Sequence, residues 1–214
     1  MNDRSSKGRV PDRGGSCLPP DASLAPSERR ILDVAVRLFA KHGFHGTSMR
    51  DLARVLEIQP SALYVSFPSK DHLLAELVRV GHEVHLDRLR KALLQGNGDP
   101  VEQLRAVVRA NTLMHVAYPH LAIIVNDEMH ALPSELLGPG LALRRQSAAM
   151  LSDIIERGTA MKRFTPPHPM VTAAAIGAMS LRIPHWYREG DGIEPEALAD
   201  IQAELALRML GARP

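Results

Sequence analysis

The sequence predicts an all-α protein in two parts, a short N-terminal three-helix domain and a longer C-terminal helical domain. Three observations carry that prediction. Aromatic residues make up only 4% of the 214 positions, so the core must be built from Leu, Ala, Val, Ile and Met. That composition suits helices better than strands, which favour aromatic and β-branched residues. From Ser27 onward apolar side chains recur at helical spacing, with no internal repeat and no convincing strand. Between Thr47 and Lys70, two short amphipathic stretches are separated by a tight turn.

Bulk properties exclude several classes. Lys and Arg number 26 against 24 Asp and Glu, a net charge of +2, too small for general polyanion binding. Any nucleic-acid contact must therefore come from a local surface. The single cysteine, Cys17, rules out an internal disulfide framework. With no signal-type apolar segment and no long uncharged apolar run, the expected location is cytoplasmic, with no membrane partner.

Residues 1–26 are rich in Gly, Pro, Ser, Arg and Asp and lack apolar periodicity, which predicts a disordered arm. It reads as a floppy tail or, through Arg4, Lys7, Arg9 and Arg13, as an arm that follows a DNA backbone or minor groove. A first helix is predicted from Ser27, as N-cap, to about His42, with Ile31, Ala35, Leu38 and Phe39 on one face and Gly43 as terminator. The second begins after Thr47 or Ser48 and buries Met49, Leu52, Ala53 and Leu56. The third starts near Pro60, a residue suited to the first helical position, and buries Leu63 and Phe67. Pro68 ends it and Ser69 caps a fourth helix reaching about Leu94. Gly96-Asn97-Gly98-Asp99 is a break.

Beyond the break, helices are expected over Pro100 to about Tyr118 and His120 to about Ala131. Pro133, Pro139 and Gly140 are expected to form a connector into Leu141 to about Arg157, which Gly158 ends. Met170 to about Leu181 follows a Pro-rich linker. An ordered turn around Trp186-Tyr187 leads to a last helix from Pro195 to about Leu210, with Gly211 as C-cap.

The second and third helices form a helix-turn-helix. Such a motif lays its second helix in the major groove while the first crosses the backbone. Base reading then falls to Gln59, Pro60, Ser61 and Ala62. Gln59 suits adenine, Ser61 donates or accepts, and Ala62 suits a thymine methyl. Tyr64, Lys70 and the hydroxyls of Thr47 and Ser48 are placed for phosphates. The competing reading is three packed helices with a polar face. Small side chains at the start of the third helix and several nearby phosphate donors favour DNA.

Helices one to four, about Arg29 to Val80, resemble the N-terminal domain of TetR-family transcriptional regulators. The resemblance rests on Ile31-Leu32-Asp33-Val34-Ala35, Leu38-Phe39-Ala40, Gly43-Phe44, Thr47-Ser48, Asp51-Leu52-Ala53, Leu63-Tyr64, Phe67-Pro68-Ser69-Lys70 and Leu73-Leu74. It implies an all-helical homodimer, usually a repressor, with a variable C-terminal domain that binds a small-molecule inducer. Domains are then expected at 27–72 for DNA binding and 73–214 for ligand binding and dimerisation. Two departures stand out. Glu57 occupies a turn position that is normally Gly, where a left-handed conformation costs Glu about 1 kcal/mol. Val65 and Ser66 replace the usual aromatic or His pair after Tyr64.

The C-terminal tail, Trp186 to Gly192 followed by the last helix, is similar to actinobacterial members, some of which respond to acyl-CoA thioesters. The residues themselves predict an apolar effector pocket lined by Leu113, Met114, Val116, Ala117, Leu121, Ile124, Val125, Met150, Ile154 and Met179, against the alternative of a plain packed core. Asn126, Asp127, Glu128 and His130 would orient a polar ligand group, bind a metal or face solvent, with solvent exposure or structural pairing ranked first. Arg144 and Arg145 would pair with CoA-like phosphates or form a solvated face. His82 and His85 share a helix face, but without Cys ligands or an HExxH pattern no metal or cofactor is expected. Small residues in 170–181 and the stripe Leu198, Ile201, Leu205 and Leu210 predict a four-helix homodimer interface or an internal core.

The function expected is a DNA-binding repressor of a palindromic operator, controlled by a small apolar or amphipathic effector. Two rivals remain. An enzyme lacks any nucleophile elbow, phosphate loop or zinc signature. A helical protein-interaction module with weakened DNA binding is suggested by Glu57 and Val65.

Overall fold

The computed structural model describes residues 15–190 and 192–212. Its elements are α1 (Pro26–His42), α2 (Met49–Leu56), α3 (Pro60–Ser66), α4 (Lys70–Gln95), α5 (Pro100–Ala117), α6 (Pro119–Ile123), α7 (Ser134–Ala160), α8 (Pro169–Leu181), α9 (Ile183–Trp186) and α10 (Pro195–Met209). Among the described residues there is no strand, and no helix is long and apolar enough to cross a membrane.

The chain divides into two compact units, Met1–Val84 with Tyr118–Leu141, and His85–Ala117 with Ala142–Pro214. The sequence suggested continuous segments at 27–72 and 73–214. The units are discontinuous because the apolar stretch after Pro119 returns to the first core. There Leu121, Ile124, Val125, Met129 and Leu132 pack with Leu32, Val36, Phe39, Leu52, Leu56, Leu63, Leu74 and Leu77. Two glycines permit that closeness. A Cβ on Gly81 would lie 2.7 Å from a Val125 methyl, and one on Gly140 would lie 2.5 Å from a Val78 methyl.

The N-terminal expectation is corrected in two respects. Residues 15–25 are an ordered strap along α1; the remainder of the expected arm, with Arg4, Lys7, Arg9 and Arg13, lies outside the described residues. Leu18 is buried in the core. Asp33 accepts from the Cys17 amide at 2.6 Å and the Ser16 hydroxyl at 2.9 Å. Arg29 donates to the carbonyls of Pro19 and Ala22, at 3.0 and 2.8 Å. Polar composition concealed this strap because backbone hydrogen bonds to three α1 side chains, Arg37 included, hold it. The helix also starts two residues earlier than predicted. Ala25 is its N-cap, Pro26 takes the first position, and the Glu28 carboxylate accepts from the Ala25 amide.

Further along, the helix expected over His120–Ala131 is broken into α6, a π-helical turn at Ile124–Glu128 and a 3-10 turn at Met129–Ala131. The side-chain amide of Asn126 donates to the Ala122 carbonyl at 2.7 Å, competing with the α-helical ladder at that point. The connector predicted at Pro139-Gly140 is instead the first part of α7, with Pro139 inside the helix. Proline there removes a ladder bond at a cost of about 3 kcal/mol, and the tight seat of Gly140 on Val78 supports the turn. Gly158 does not end α7, which continues to Ala160. Its role is close packing, since a Cβ there would meet the Phe164 ring at 2.1 Å.

The second unit has its own core of Leu89, Leu104, Val107, Val108, Ile154, Ile155, Phe164, Ile176, Ala203 and Leu207. Helices α5 and α10 are also pinned by ion pairs of Arg109 with Asp200 and Arg105 with Glu204.

Candidate nucleic-acid interface

Ser48 caps α2. Its hydroxyl accepts from the Asp51 amide at 3.2 Å, and the Asp51 carboxylate accepts from the Ser48 amide at 3.0 Å. This reciprocal capping box satisfies two amides at the helix start. Hydrogen bonds from the Ser48 hydroxyl and amide, aided by Arg54, hold the Asp51 carboxyl below its ordinary range.

The turn after α2 answers the question raised by Glu57. That residue adopts the left-handed conformation, φ 57° and ψ 40°. The Glu57 amide donates to the Arg54 carbonyl at 3.2 Å and the Ile58 amide to the Ala53 carbonyl at 3.0 Å. These two bonds define a Schellman motif. Ile58 packs on the core, supplying the hydrophobic contact that accompanies such ends. Glutamate thus makes the turn that glycine would make more cheaply.

Gln59 follows as N-cap of α3, with extended backbone, and Pro60 takes the first position. Only Leu63 of the seven α3 residues is buried. Gln59, Pro60, Ser61, Ala62 and Tyr64 are all exposed on this short element. The helix itself carries no charged side chain.

Two residues expected to face phosphate are engaged by the protein's own backbone. Thr47 is buried, and its hydroxyl lies 3.0 Å from the Gly43 carbonyl and 3.3 Å from that of Leu38, closing the end of α1. Lys70 donates to the carbonyls of Phe44 at 2.7 Å and Thr47 at 2.9 Å. Its ammonium also sits 4.3 Å from the Phe44 ring centroid. Both side chains fix the loop that presents Ser48.

The residues proposed for an effector pocket fall into distinct surroundings. Leu121, Ile124 and Val125 belong to the core of the first unit. Ile154 is fully buried in the second core, and Met150 packs against it. Val116 clusters with Ile183, Tyr187 and Leu198. Met114 is buried, Leu113 and Met179 are half-buried, and Ala117 is exposed. Glu128 is turned to the Phe44 amide, 3.5 Å away. Among the described residues no group of three or more His, Cys, Asp or Glu could hold a metal ion.

A polar cluster inside the second unit went unpredicted. His85 Nε2 lies 2.9 Å from Asn111 Oδ1, and His115 Nδ1 donates to the Asn111 carbonyl at 2.8 Å. The two rings meet edge to face with centroids 6.0 Å apart. Burial pushes His115 down to about 4, and pushes His85 down as well. Thr112 and Ser180 are also buried in this unit, with hydroxyls 3.4 Å apart. The available signal was three polar residues, Asn111, Thr112 and His115, spaced along one stretch of α5 between apolar positions.

A helix-turn-helix whose second helix turns nearly every side chain outward, joined to an all-helical second unit, defines the class: a helix-turn-helix transcriptional regulator rather than an enzyme. Residues 31–77 match the model for bacterial regulatory proteins of the tetR family, and residues 97–210 match the tetracyclin repressor-like C-terminal domain. The chain belongs to the TetR family.

It is similar to the HTH-type transcriptional regulator UidR of Escherichia coli (strain K12), 29% identical over 132 residues, which are 60% of this chain. The match spans 58% of that relative's length. Among solved structures it resembles a tetR-family regulatory protein from Rhodococcus RHA1, with a TM-score of 0.84 and 26% identity over 89% of this chain and 100% of that one. It shares the fold of AibR, solved in complex with isovaleryl coenzyme A and operator DNA, with a TM-score of 0.77 and 24% identity over 87% of this chain and 99% of that one.

Proposed function

We propose that this protein is a homodimeric repressor that binds a palindromic DNA operator and is controlled by a small apolar or amphipathic effector. The observation that carries the reading is α3, which buries Leu63 alone and turns its other side chains outward. Gln59 to Ala62 read bases, with Gln59 on adenine and Ala62 on a thymine methyl. Phosphates are held by Ser48 and the first amides of α2, with Tyr64 from α3. Thr47 and Lys70 support this site through the α1–α2 loop, and the remaining N–H of Lys70 is its own phosphate donor.

The dimer is formed by α8 and α10. On α8, Met170, Ala174 and Ala178 are exposed at four-residue spacing, and on α10 Ile201, Leu205 and Met209 are exposed at the same spacing. Two apolar stripes of that kind match a four-helix interface. In the dimer the two α3 helices would lie about 34–36 Å apart, one turn of B-DNA.

The effector site is placed in the second unit, with Leu113, Met114, Ala117, Met150, Ile154 and Met179 among its candidate residues; Leu121, Ile124 and Val125 act through the first core. The acyl-CoA class is suggested by the fold shared with AibR. Helix α4 contributes to both units, so an effector that favours one α4 position over another would shift DNA affinity.

Binding of fluorescent duplexes upstream of the protein's own gene, measured against salt, tests the core reading. A repressor of this kind protects a palindromic segment, and log affinity falls linearly with log salt. A protein-interaction module would bind no duplex at any salt concentration, and that result would overturn the proposal.

A further inference from the structure

Among the described residues Val65 is the most exposed large apolar side chain, at 87% of its free surface. It lies on α3, where Leu63 alone is buried. Helical geometry advances roughly 100° per residue, so Ser61 and Val65 lie roughly 160° and 200° around from Leu63. These two side chains, one turn apart, form the centre of the outward face. Tyr64 and Ala62 flank them. A β-branched residue here loses rotamer freedom in the helix and buries nothing against the protein. Neither helix propensity nor core packing accounts for it.

The chemistry of the whole helix narrows what it meets. With no acidic or basic side chain in α3, the helix lacks the Arg or Lys that grips guanine and the Asp or Glu that accepts from cytosine. What it offers is the Gln59 amide at its start, two serine hydroxyls, and the apolar surfaces of Ala62 and Val65. Glutamine suits adenine, and apolar side chains suit the C5-methyl of thymine, the one methyl on the major-groove edge of unmodified DNA.

We propose that Val65 determines specificity by packing its two methyls on a thymine C5-methyl in each half-site, within an A·T-weighted sequence. The inference rests on the DNA-binding reading above and adds a base contact outside the Gln59–Ala62 segment. It also explains how the protein lacks the usual aromatic or histidine at this position without losing groove contact.

The test uses the intact protein and a random duplex pool. Sequences enriched by the wild type are resynthesised with each thymine replaced singly by deoxyuridine, which removes the methyl and nothing else. One symmetry-related thymine per half-site should weaken wild-type binding about fourfold on losing its methyl, a size set by the transfer of one buried methyl group. Replacing both should give about 15-fold. Val65→Ala should bind the unmodified duplex about that much more weakly and show less than a twofold response to deoxyuridine at the same positions. The side chain is exposed, so the variant should keep its melting temperature. Enriched sites with no methyl-sensitive thymine overturn the proposal, as does equal sensitivity in the variant. Failure to enrich any sequence overturns the DNA-binding reading itself.

Discussion

Helices α3 and α5 follow opposite rules. Helix α3 buries one residue of seven, whereas α5 buries ten of eighteen, including Gln103, Thr112 and His115. One buried leucine contributes about 2 kcal/mol, while ordering each backbone residue costs about 1–2 kcal/mol. Helix α3 therefore does not hold itself in place. Its position comes from neighbours in the chain: Ile58 before it and Phe67 after it pack on the first core, and Pro60 presets the first φ angle. What α3 keeps is its display of side chains. In α5 the burial is generous enough to carry polar groups inside, and those groups are its unusual feature.

The sharpest way to break this comparison is at Leu63. Truncating a fully buried leucine to alanine costs about 3 kcal/mol, and for a protein of this length that lowers the melting temperature by roughly 6–12 °C. Because Leu63 is the only α3 side chain in the core, Leu63→Ala should also disorder the reading face and abolish specific DNA binding at ambient temperature. Ser61→Ala, on the exposed face, should change stability by less than about 0.5 kcal/mol while changing base preference. Thermal melts and duplex titrations of both variants check this. A stability loss under about 1 kcal/mol for Leu63→Ala would mean that α3 is held by something other than its one anchor.

On the α5 side the effect of similar size is acid sensitivity. His115 titrates near 4 in the folded protein because burial disfavours its charged form, against an ordinary value of 6.5. Above about pH 6.5 both folded and unfolded states keep it neutral and pH has no effect through this group. Between about 6.5 and 4 the unfolded chain takes up a proton that the folded one refuses, so stability is lost as pH falls. At about 1.4 kcal/mol per unit the loss reaches about 3 kcal/mol, and His85 adds to it in the same direction. Urea denaturation at pH 7 and pH 4.5 should show the loss, and His115→Gln should remove most of the His115 share. An unchanged pH slope in that variant would place the acid sensitivity elsewhere.

The lysine that supports the reading face gives a smaller effect. Lys70→Met keeps an unbranched apolar side chain but withdraws the ammonium from the Phe44 ring and the donor from the Phe44 and Thr47 carbonyls. The loss should be about 1–2 kcal/mol, accompanied by weaker binding to every duplex rather than altered preference. A variant that lost DNA affinity at full stability would show that Lys70 acts on phosphate alone.

These contrasts also explain what the sequence disclosed. Periodicity and caps are local, so α2, α3 and the Ser69 cap were legible from a few residues each, and the α2 cap was narrowed to Thr47 or Ser48. Outward residues of α3 were legible because their neighbours in the motif have fixed positions. The strap at 15–25 was not, since its order comes from Asp33, Arg29 and Arg37 binding backbone groups that composition does not reveal. The return of 118–141 to the first core was hidden because apolar character alone does not say which core will accept it. The same limit applied to the effector candidates. Leu121 and Ile154 look alike in sequence, yet they belong to the cores of different units. Side chains were misjudged where a polar group serves the protein's own backbone, as Thr47 does.

The smallest effect concerns the turn that leads into α3. Glu57 holds φ 57°, a left-handed conformation that costs a residue bearing a Cβ about 1 kcal/mol relative to glycine. Glycine loses more entropy on folding, but at a left-handed position the relief of strain outweighs that loss. Glu57→Gly should therefore raise stability by about 0.5–1 kcal/mol, or roughly 1–4 °C in melting temperature. It also removes a negative charge from the approach to phosphate, so DNA affinity should rise, more at low salt than at high salt. Glu57→Gln separates the two causes. It keeps the strained backbone and drops the charge, so it should reproduce the gain in affinity without the gain in stability. If Glu57→Gln also stabilises the protein, the charge rather than the backbone is the source of strain, and the Schellman turn would cost this protein nothing.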